Sequence, residues 1–343
     1  MSYQTPESRR AAVAEVLRAL MKARSVLLTT HINADGDGVG SQVALAAWLR
    51  EQDKESWIVN PTPFPESLHF LLPDRSWSID AGSPKAREVA GAVDLVVVLD
   101  TGEVSRIGRV MQLIRGVPAA VIDHHPPGLD PIPGLSLRDP EAAATGELVF
   151  DLLKKAGGVW PPATALGLYV AILSDTGSFR FSNSSPAAHR IVAELLEMGV
   201  EPEQTYRQVY GNVPLRKLQV LHAALGELEV DEEGKMAWMT VPTQAFVDLD
   251  AHADDIEGLV DYPRGIEGVE VGILFRETVR GGTKVSFRSN GVVDVNALAR
   301  SFGGGGHVKA AGALVERPLD RVREDVLRAT RRAIRESVTS HGR

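Results

Sequence analysis

A histidine and two aspartates spaced four and then two residues apart, His31, Asp35 and Asp37, follow the apolar run Val26-Leu27-Leu28. Such a run reads as a buried strand, and the Gly38-Val39-Gly40-Ser41 behind the aspartates reads as a turn feeding a helix. Ligand-type side chains would then sit at the carboxyl end of a strand, where open α/β sheets build their sites. Taken alone, Asp-Gly-Asp-Gly is as well explained by a solvated turn. The pattern, however, recurs. Asp100 ends the run Asp94–Asp100, Asp123-His124-His125 follows Ala119–Ile122, and Asp175 ends another apolar stretch in Leu-Ser-Asp-Thr-Gly-Ser-Phe. Two carboxylates about 4 Å apart repel by roughly 4 kcal/mol at an effective dielectric near 20, so a cluster of them calls for cations. Carboxylate and imidazole donors without sulfur suit two divalent ions, manganese first, with magnesium, cobalt or zinc as alternatives.

The elements that must position these residues can be read along the chain. Residues 8–23 are amphipathic, Val26–Thr30 is a strand and 41–52 a helix; Trp57–Asn60, Asp94–Asp100 and Ala119–Asp123 are further strands. Ile107–Ile114, 142–156, 162–173 and Ala187–Leu196 read as helices. Continuous apolar strands between helices argue for an α/β fold, a parallel sheet with helices on both faces. After about residue 225 the strands Glu227–Val230, Met236–Val241, Val269–Glu277 and Lys284–Arg288 and a closing helix over 318–337 suggest a smaller mixed α/β domain. The expected organisation is a catalytic domain over 1–200, a helical linker over 201–226 and a substrate-binding domain over 227–343.

In that second domain Arg288-Ser289-Asn290 stands at a strand end, and Gly303-Gly304-Gly305-Gly306-His307 follows a short helix. The glycines would let backbone N–H groups approach an anion, with Arg288 and His307 adding charge and direction; a flexible loop is the plainer reading. Gly36-x-Gly38-x-Gly40 is not the dinucleotide fingerprint, and the four-glycine run lacks the Gly-Lys-Ser/Thr ending of a Walker loop.

The 343 residues carry a formal net charge of −8 and no cysteine, which excludes disulfides and thiolate metal sites. No Lys/Arg run resembles the basic stripe of proteins that grip long nucleic acid. No apolar stretch is long enough for a membrane span, and the first residues lack the core of a secretory signal. A cytoplasmic enzyme acting on a small anionic substrate is the expectation.

The order His-x-x-x-Asp-x-Asp, Asp, Asp-His-His, Asp resembles the DHH family of phosphoesterases. Arg-Ser-Asn and Gly-Gly-Gly-Gly-His-x-x-Ala-Ala-Gly resemble the DHH-associated domain. Glu257-Gly-Leu-Val-Asp-Tyr-Pro-Arg264 is similar to the NrnA-type branch, whose members trim very short RNA and remove the 3′-phosphate of pAp. The resemblance implies that His31 and Asp35 hold one metal and Asp37 and His124 the other. It also implies that Asp100 bridges them and Asp175 completes a shell. Asp123 would orient a histidine, and His125 would contact the scissile phosphate or protonate the leaving oxygen. Arg288, Ser289, Asn290, Gly304, Gly305, Gly306 and His307 would bind substrate. The implied reaction is two-metal hydroxide attack on phosphorus. The implied substrates are short single-stranded RNA or DNA, dinucleotides such as pGpG, and pAp, with no long duplex and no membrane; a homodimer is compatible with the sequence. Within enzymes, the competing readings are a RecJ-like single-strand DNA exonuclease, a cyclic-dinucleotide phosphodiesterase and an inorganic pyrophosphatase. A metal or nucleotide sensor without turnover is the competing reading outside them.

Overall fold

The computed structural model describes residues 2–252, 255–256, 258–278 and 281–341; Glu257 lies outside them. The chain forms two compact units, Met1–Asn212 and Val213–Arg343.

The first unit is built on five parallel strands, β1 (Ser25–Thr29), β2 (Glu55–Ile58), β3 (Leu95–Leu99), β4 (Ala119–Asp123) and β5 (Leu135–Arg138). Their spatial order is β2-β1-β3-β4-β5, so the winding direction reverses between β1 and β3. Its helices are α1 (Glu7–Lys22), α2 (Gly36–Glu51), α3 (Pro84–Ala92), α4 (Val110–Leu113), α5 (Thr145–Ala156), α6 (Pro162–Asp175), α7 (Pro186–Glu197) and α8 (Pro202–Tyr206). Alternate strand residues point to opposite faces. Val26, Leu28, Val97, Leu99, Ala120 and Ile122 pack with α1, α2, α5, α6 and α7. Leu27, Val96, Val98 and Val121 pack on the other face with α3, Ile107 and Val110. Burial on both faces is why these strands read as unbroken apolar runs.

Two details of the sequence reading change. Gly38–Ser41 is not a turn, because α2 already begins at Gly36, with the Asp35 carboxylate capping it through the N–H groups of Asp37 and Gly38. The early start has a packing reason as well. A Cβ at Gly40 would lie 2.4 Å from the Gly167 carbonyl, and one at Gly167 would lie 2.5 Å from the Gly40 carbonyl. These two glycines let α2 and α6 cross with backbones nearly touching. The second change is that β5 and α3 were not anticipated from sequence.

The second unit holds a six-stranded sheet of order β10-β11-β9-β8-β7-β6. Its strands are β6 (Glu229–Val230), β7 (Met236–Val241), β8 (Val271–Glu277), β9 (Thr283–Ser289), β10 (Gly305–Gly306) and β11 (Ala310–Val315). Only the β7–β8 pairing is parallel. One face packs on α12 (Val295–Arg300) and α13 (Leu319–His341) through Ile273, Phe275, Phe287 and Val322. The other packs on α9 (Leu215–Gly226) and the segment around α11 (Asp261–Arg264) through Val220, Leu274 and Leu259. A short α10 (Thr243–Asp248) follows β7. The stretch 201–226 is divided, α8 belonging to the first unit and α9 to the second. Among the described residues no helix is long and apolar enough to cross a membrane.

Candidate metal centre

The reversal between β1 and β3 opens a crevice at the carboxyl ends of the strands, the usual ligand position in such sheets. His31 follows β1 and Asp100 follows β3, and His31 Nε2 meets Asp100 Oδ2 at 3.1 Å across that point. His31 is aimed by its other nitrogen, 2.9 Å from the Ile32 carbonyl. Asp100 has φ of 61°, a left-handed conformation rare outside glycine but better tolerated by Asp than by most residues. Its other oxygen, Oδ1, accepts from Thr145 Oγ1 at 3.0 Å and lies 3.6 Å from both His124 Nε2 and His125 Nδ1.

Asp35 and Asp37 leave the start of α2 in different directions. The Asp35 side chain stays 47% exposed, with Oδ1 3.8 Å from His31 Nε2. Asp37 is buried against the N-terminus of α5, accepting from the N–H groups of Thr145 at 2.7 Å and Gly146 at 2.9 Å. A helix N-terminus favours a carboxylate because its first N–H groups have no intrahelical partner. Ser41 Oγ donates to Asp37 at 3.2 Å. Asp175, the last residue of α6, lies 3.6 Å from His124 Nε2, and Asp37 lies 3.7 Å from the same atom. Asn183 Nδ2 donates to Asp175 Oδ2 at 3.2 Å. Asp123 does not join the ligand groups; its Oδ1 receives His125 through the backbone N–H and Nδ1, at 3.0 and 2.8 Å, and its Oδ2 lies 3.3 Å from Arg138 Nη2.

Three groups that could hold a metal ion result among the described residues, His31–Asp35–Asp100, Asp37–His124–Asp175 and Asp100–His124–His125, each with donor atoms within 4.8 Å of one another. The electrostatics show what this arrangement lacks without a cation. Burial, then the charges of Asp100, Asp175 and Asp35, push the Asp37 carboxyl well above its ordinary range. Burial pushes Asp175 up to about 6, His124 opposing and Asp100 and Asp35 adding to it. Burial disfavours the His31 imidazolium, but the hydrogen bonds to Asp100 and Asp35 outweigh it and raise His31 to about 10. Burial also opposes the Asp100 carboxylate, yet the His31 hydrogen bond and the nearby imidazoles hold it far below the usual range. Desolvation likewise works against the Asp35 carboxylate, and the His31 hydrogen bond keeps it low. Protons thus perform the charge balancing that divalent cations would perform. The oxygen and nitrogen donor set fits such ions.

The sequence reading missed Thr145, Gly146, Asn183 and Arg138, which hold the candidate ligand residues and their neighbour Asp123 in place. Their only sequence signal is the Ala-Thr-Gly at 144–146, which resembles the Asp-Thr-Gly stretches elsewhere.

In the second unit, Arg288 on β9 pairs with Ala310 on β11, and His307 N donates to the Ala310 carbonyl at 2.7 Å. Arg288 and His307 therefore stand at the same end of that sheet, with β11 between them. Ser289 is buried with its N–H on the Lys309 carbonyl at 3.0 Å, and the Asn290 amide bonds the carbonyls of Arg264 and Val269 at 2.6 and 3.1 Å. The glycine run is neither an open cradle nor a loose loop throughout, for Gly305 and Gly306 form β10 against β11. A Cβ at Gly304 would lie 2.1 Å from the Gly312 carbonyl, so strand packing demands glycine there.

Comparison with known proteins agrees with this geometry. The DHH family N-terminal domain matches residues 25–172 and the DHHA1 domain residues 237–336. Over 333 residues the chain is 35% identical to the bifunctional oligoribonuclease and PAP phosphatase NrnA of Thermus thermophilus, covering 92% of this chain and 94% of that one. It is 29% identical to the protein of the same name from Bacillus subtilis over 306 residues, 88% of this chain and 92% of the relative. The crystal structure of an exopolyphosphatase-related protein from Bacteroides fragilis superposes with a TM-score of 0.86 at 25% identity, over 95% of this chain and 96% of that one. On its ligand order, its fold and these likenesses, the chain belongs to the DHH family.

Proposed function

We propose that this protein is a metal-dependent phosphodiesterase that hydrolyses short oligonucleotides and linear dinucleotides to mononucleotides and removes the 3′-phosphate of pAp. The observation that carries the reading is Asp100, whose Oδ2 faces His31 while its Oδ1 faces His124 and His125. One carboxylate with each oxygen turned to a different ligand group supports a bridging role. His31 and Asp35 would hold one ion, Asp37, His124 and Asp175 the other. Manganese is the ion proposed, since the donors mix carboxylate and imidazole without sulfur. Two bound divalent ions supply activation of a water and Lewis-acid stabilisation of charge on the phosphoryl oxygens.

The remaining chemistry belongs to the chain. Asp123 holds Nδ1 of His125, which directs Nε2 as the atom that gives a proton to the leaving oxygen. Burial opposes the charged form of His125, but the Asp123 hydrogen bond and the charges of Asp100 and Asp123 outweigh it and favour the protonated ring that this task needs. The P–O bond to water forms as the P–O bond to the leaving nucleoside breaks. Arg288 and His307 are proposed to grip a substrate phosphate, with Ser289, Asn290 and Gly304, Gly305 and Gly306 shaping the surface around them. The net charge of −8 and the lack of a basic stripe support a short substrate over long nucleic acid.

The test compares initial rates on 5′-labelled di-, tri-, five- and twenty-nucleotide RNA, single-stranded DNA, pAp and cyclic dinucleotides, after EDTA and after restoring Mn(II). Rates should be highest on the shortest linear RNAs and pAp, vanish with chelator and return with the ion. Preference for long DNA, or an Asp100→Ala variant as fast as the wild type, would overturn the proposal.

A further inference from the structure

Four of the proposed ligands lean on one short segment. The Ala142 carbonyl lies 3.2 Å from His124 Nδ1, and the Ala143 carbonyl accepts at 2.9 Å from Asn183, which also holds Asp175. The Thr145 and Gly146 N–H groups hold Asp37, and the Thr145 hydroxyl holds Asp100. The segment running from Asp139 into the first turn of α5 is therefore a back plate for the site.

Both ends of that plate are fixed by a single residue outside it. Arg9, on α1 and only 4% exposed, reaches Asp139 Oδ2 through Nε at 2.6 Å and Glu147 Oε1 through Nη1 at 2.6 Å. Nη1 also reaches Asp151 Oδ2 at 3.0 Å. The two carboxylates at the ends pass the restraint inward. Asp139 Oδ1 accepts from the Glu141 N–H at 2.9 Å, and Glu147 Oε2, in the first turn of α5, reaches back to accept from the Ala143 N–H just before the N-cap at 3.0 Å. Arg9 precedes the residues 25–172 that match the family domain. A planar guanidinium presents donors on separate nitrogens in fixed geometry and so binds both ends at once from Nε and Nη1, whereas an ammonium has a single nitrogen to share between them.

We propose that Arg9 is a positioning residue for the metal centre, setting the register of segment 139–147 and through it the placement of Asp37, His124, Asp175 and Asp100. The proposal rests on the metal-dependent reading above. Outer partners of metal ligands typically cost about 10- to 100-fold in metal affinity when removed. The test is Mn(II) binding to the full chain stripped of metal, followed by the free-ion paramagnetic resonance signal, with no substrate present. Arg9→Met should weaken Mn(II) binding by about tenfold or more with circular dichroism unchanged, and Arg9→Lys should recover part of that loss. Leu20→Ala, a cut in the buried face of the same helix, should lower the melting temperature yet bind Mn(II) within about twofold of wild type. Asp139→Asn, a milder cut of the same clamp, should weaken binding severalfold and carries the test if Arg9→Met does not fold. Wild-type affinity in Arg9→Met or Asp139→Asn, or equal loss in Leu20→Ala, would overturn the proposal. Wild-type protein that binds no Mn(II) would overturn the metal-dependent reading itself.

Discussion

The crossing of α2 and α6 sets the distance between Asp37 and Asp175, and Gly167→Ala changes that distance with one methyl group. Asp37 lies in the first turn of α2 and Asp175 ends α6, with His124 Nε2 between them at 3.7 and 3.6 Å. The new Cβ would stand 2.5 Å from the Gly40 carbonyl and 3.0 Å from the Ala44 nitrogen, where ordinary contact begins at 3.4 Å. Both obstacles are helix backbone, so the helices must part by about 0.9 Å, the difference of 3.4 and 2.5 Å. Overpacking of this kind costs about 1–3 kcal/mol, and replacing Gly by Ala within a helix returns about 1 kcal/mol. The net stability change should therefore be small, about 0–2 kcal/mol. A displacement near 1 Å at a reacting centre, by contrast, costs about 100-fold in rate. The expected result is a kcat on dinucleotide lowered 10- to 100-fold (about 1.4–2.7 kcal/mol), with weakened Mn(II) binding and a melting temperature shifted by only a few degrees. Gly91→Ala, where nothing lies within 4 Å of the added atom, serves as the control and should leave the rate unchanged. A Gly167→Ala enzyme with wild-type kcat would refute the argument that this crossing distance sets the site.

Thr145→Val removes the hydroxyl 3.0 Å from Asp100 while keeping the backbone N–H that holds Asp37, and should weaken Mn(II) binding about tenfold, read by titration calorimetry. Metal uptake should release protons. His31, raised to about 10, is charged in the metal-free protein at neutral pH and must lose its proton to become a ligand. Affinity should then rise with pH toward that value, more steeply where Asp37, held well above the ordinary carboxyl range, and Asp175, near about 6, also carry protons. Calorimetry in two buffers of different ionisation enthalpy counts the protons released, and a count of zero at neutral pH contradicts the argument. Arg288→Ala should raise KM for dinucleotide at least tenfold and leave Mn(II) stoichiometry intact; loss of both metals would remove Arg288 from the substrate surface.

What could be read from the sequence follows from burial. Strands β1, β3 and β4 are covered on both faces, so each is a continuous apolar run, and the Asp or His ending each run stands out against it. β5, Leu135–Arg138, alternates Leu with Ser and Arg at the sheet edge and carries no such contrast. β10 and β11 are rich in Gly and Ala, residues depleted in strands, because β11 packs against Gly304 and β9 at close range. The residues that hold the ligands stayed hidden for a different reason. Thr145 and Gly146 act through backbone N–H groups, which every non-proline residue has, and Arg9, though in register with Val13, Val16 and Leu20 on the buried face of α1, names no partner by its position in the sequence. Only the fold brings Arg9 onto residues 130 to 142 positions away.

The two-residue step from Asp35 to Asp37 shows how one short motif can serve two ligand groups. Successive helical residues turn by about 100°, so side chains two apart on a helix face nearly opposite ways. Asp35 is the cap, still in extended backbone at φ −104° and ψ −168°, and its carboxylate turns back over the helix start toward His31. Asp37 is inside the first turn and points away, into the N-terminus of α5 and toward His124. A step of three or four would put both carboxylates on one face, where they would crowd a single ion. A step of one would leave the second carboxylate without the helical turn that aims it. With a step of two, Asp35 meets the His31–Asp100 pair and Asp37 meets the His124–Asp175 pair, which leaves Asp100 as the only carboxylate within 4 Å of both His31 and His124 among the described residues.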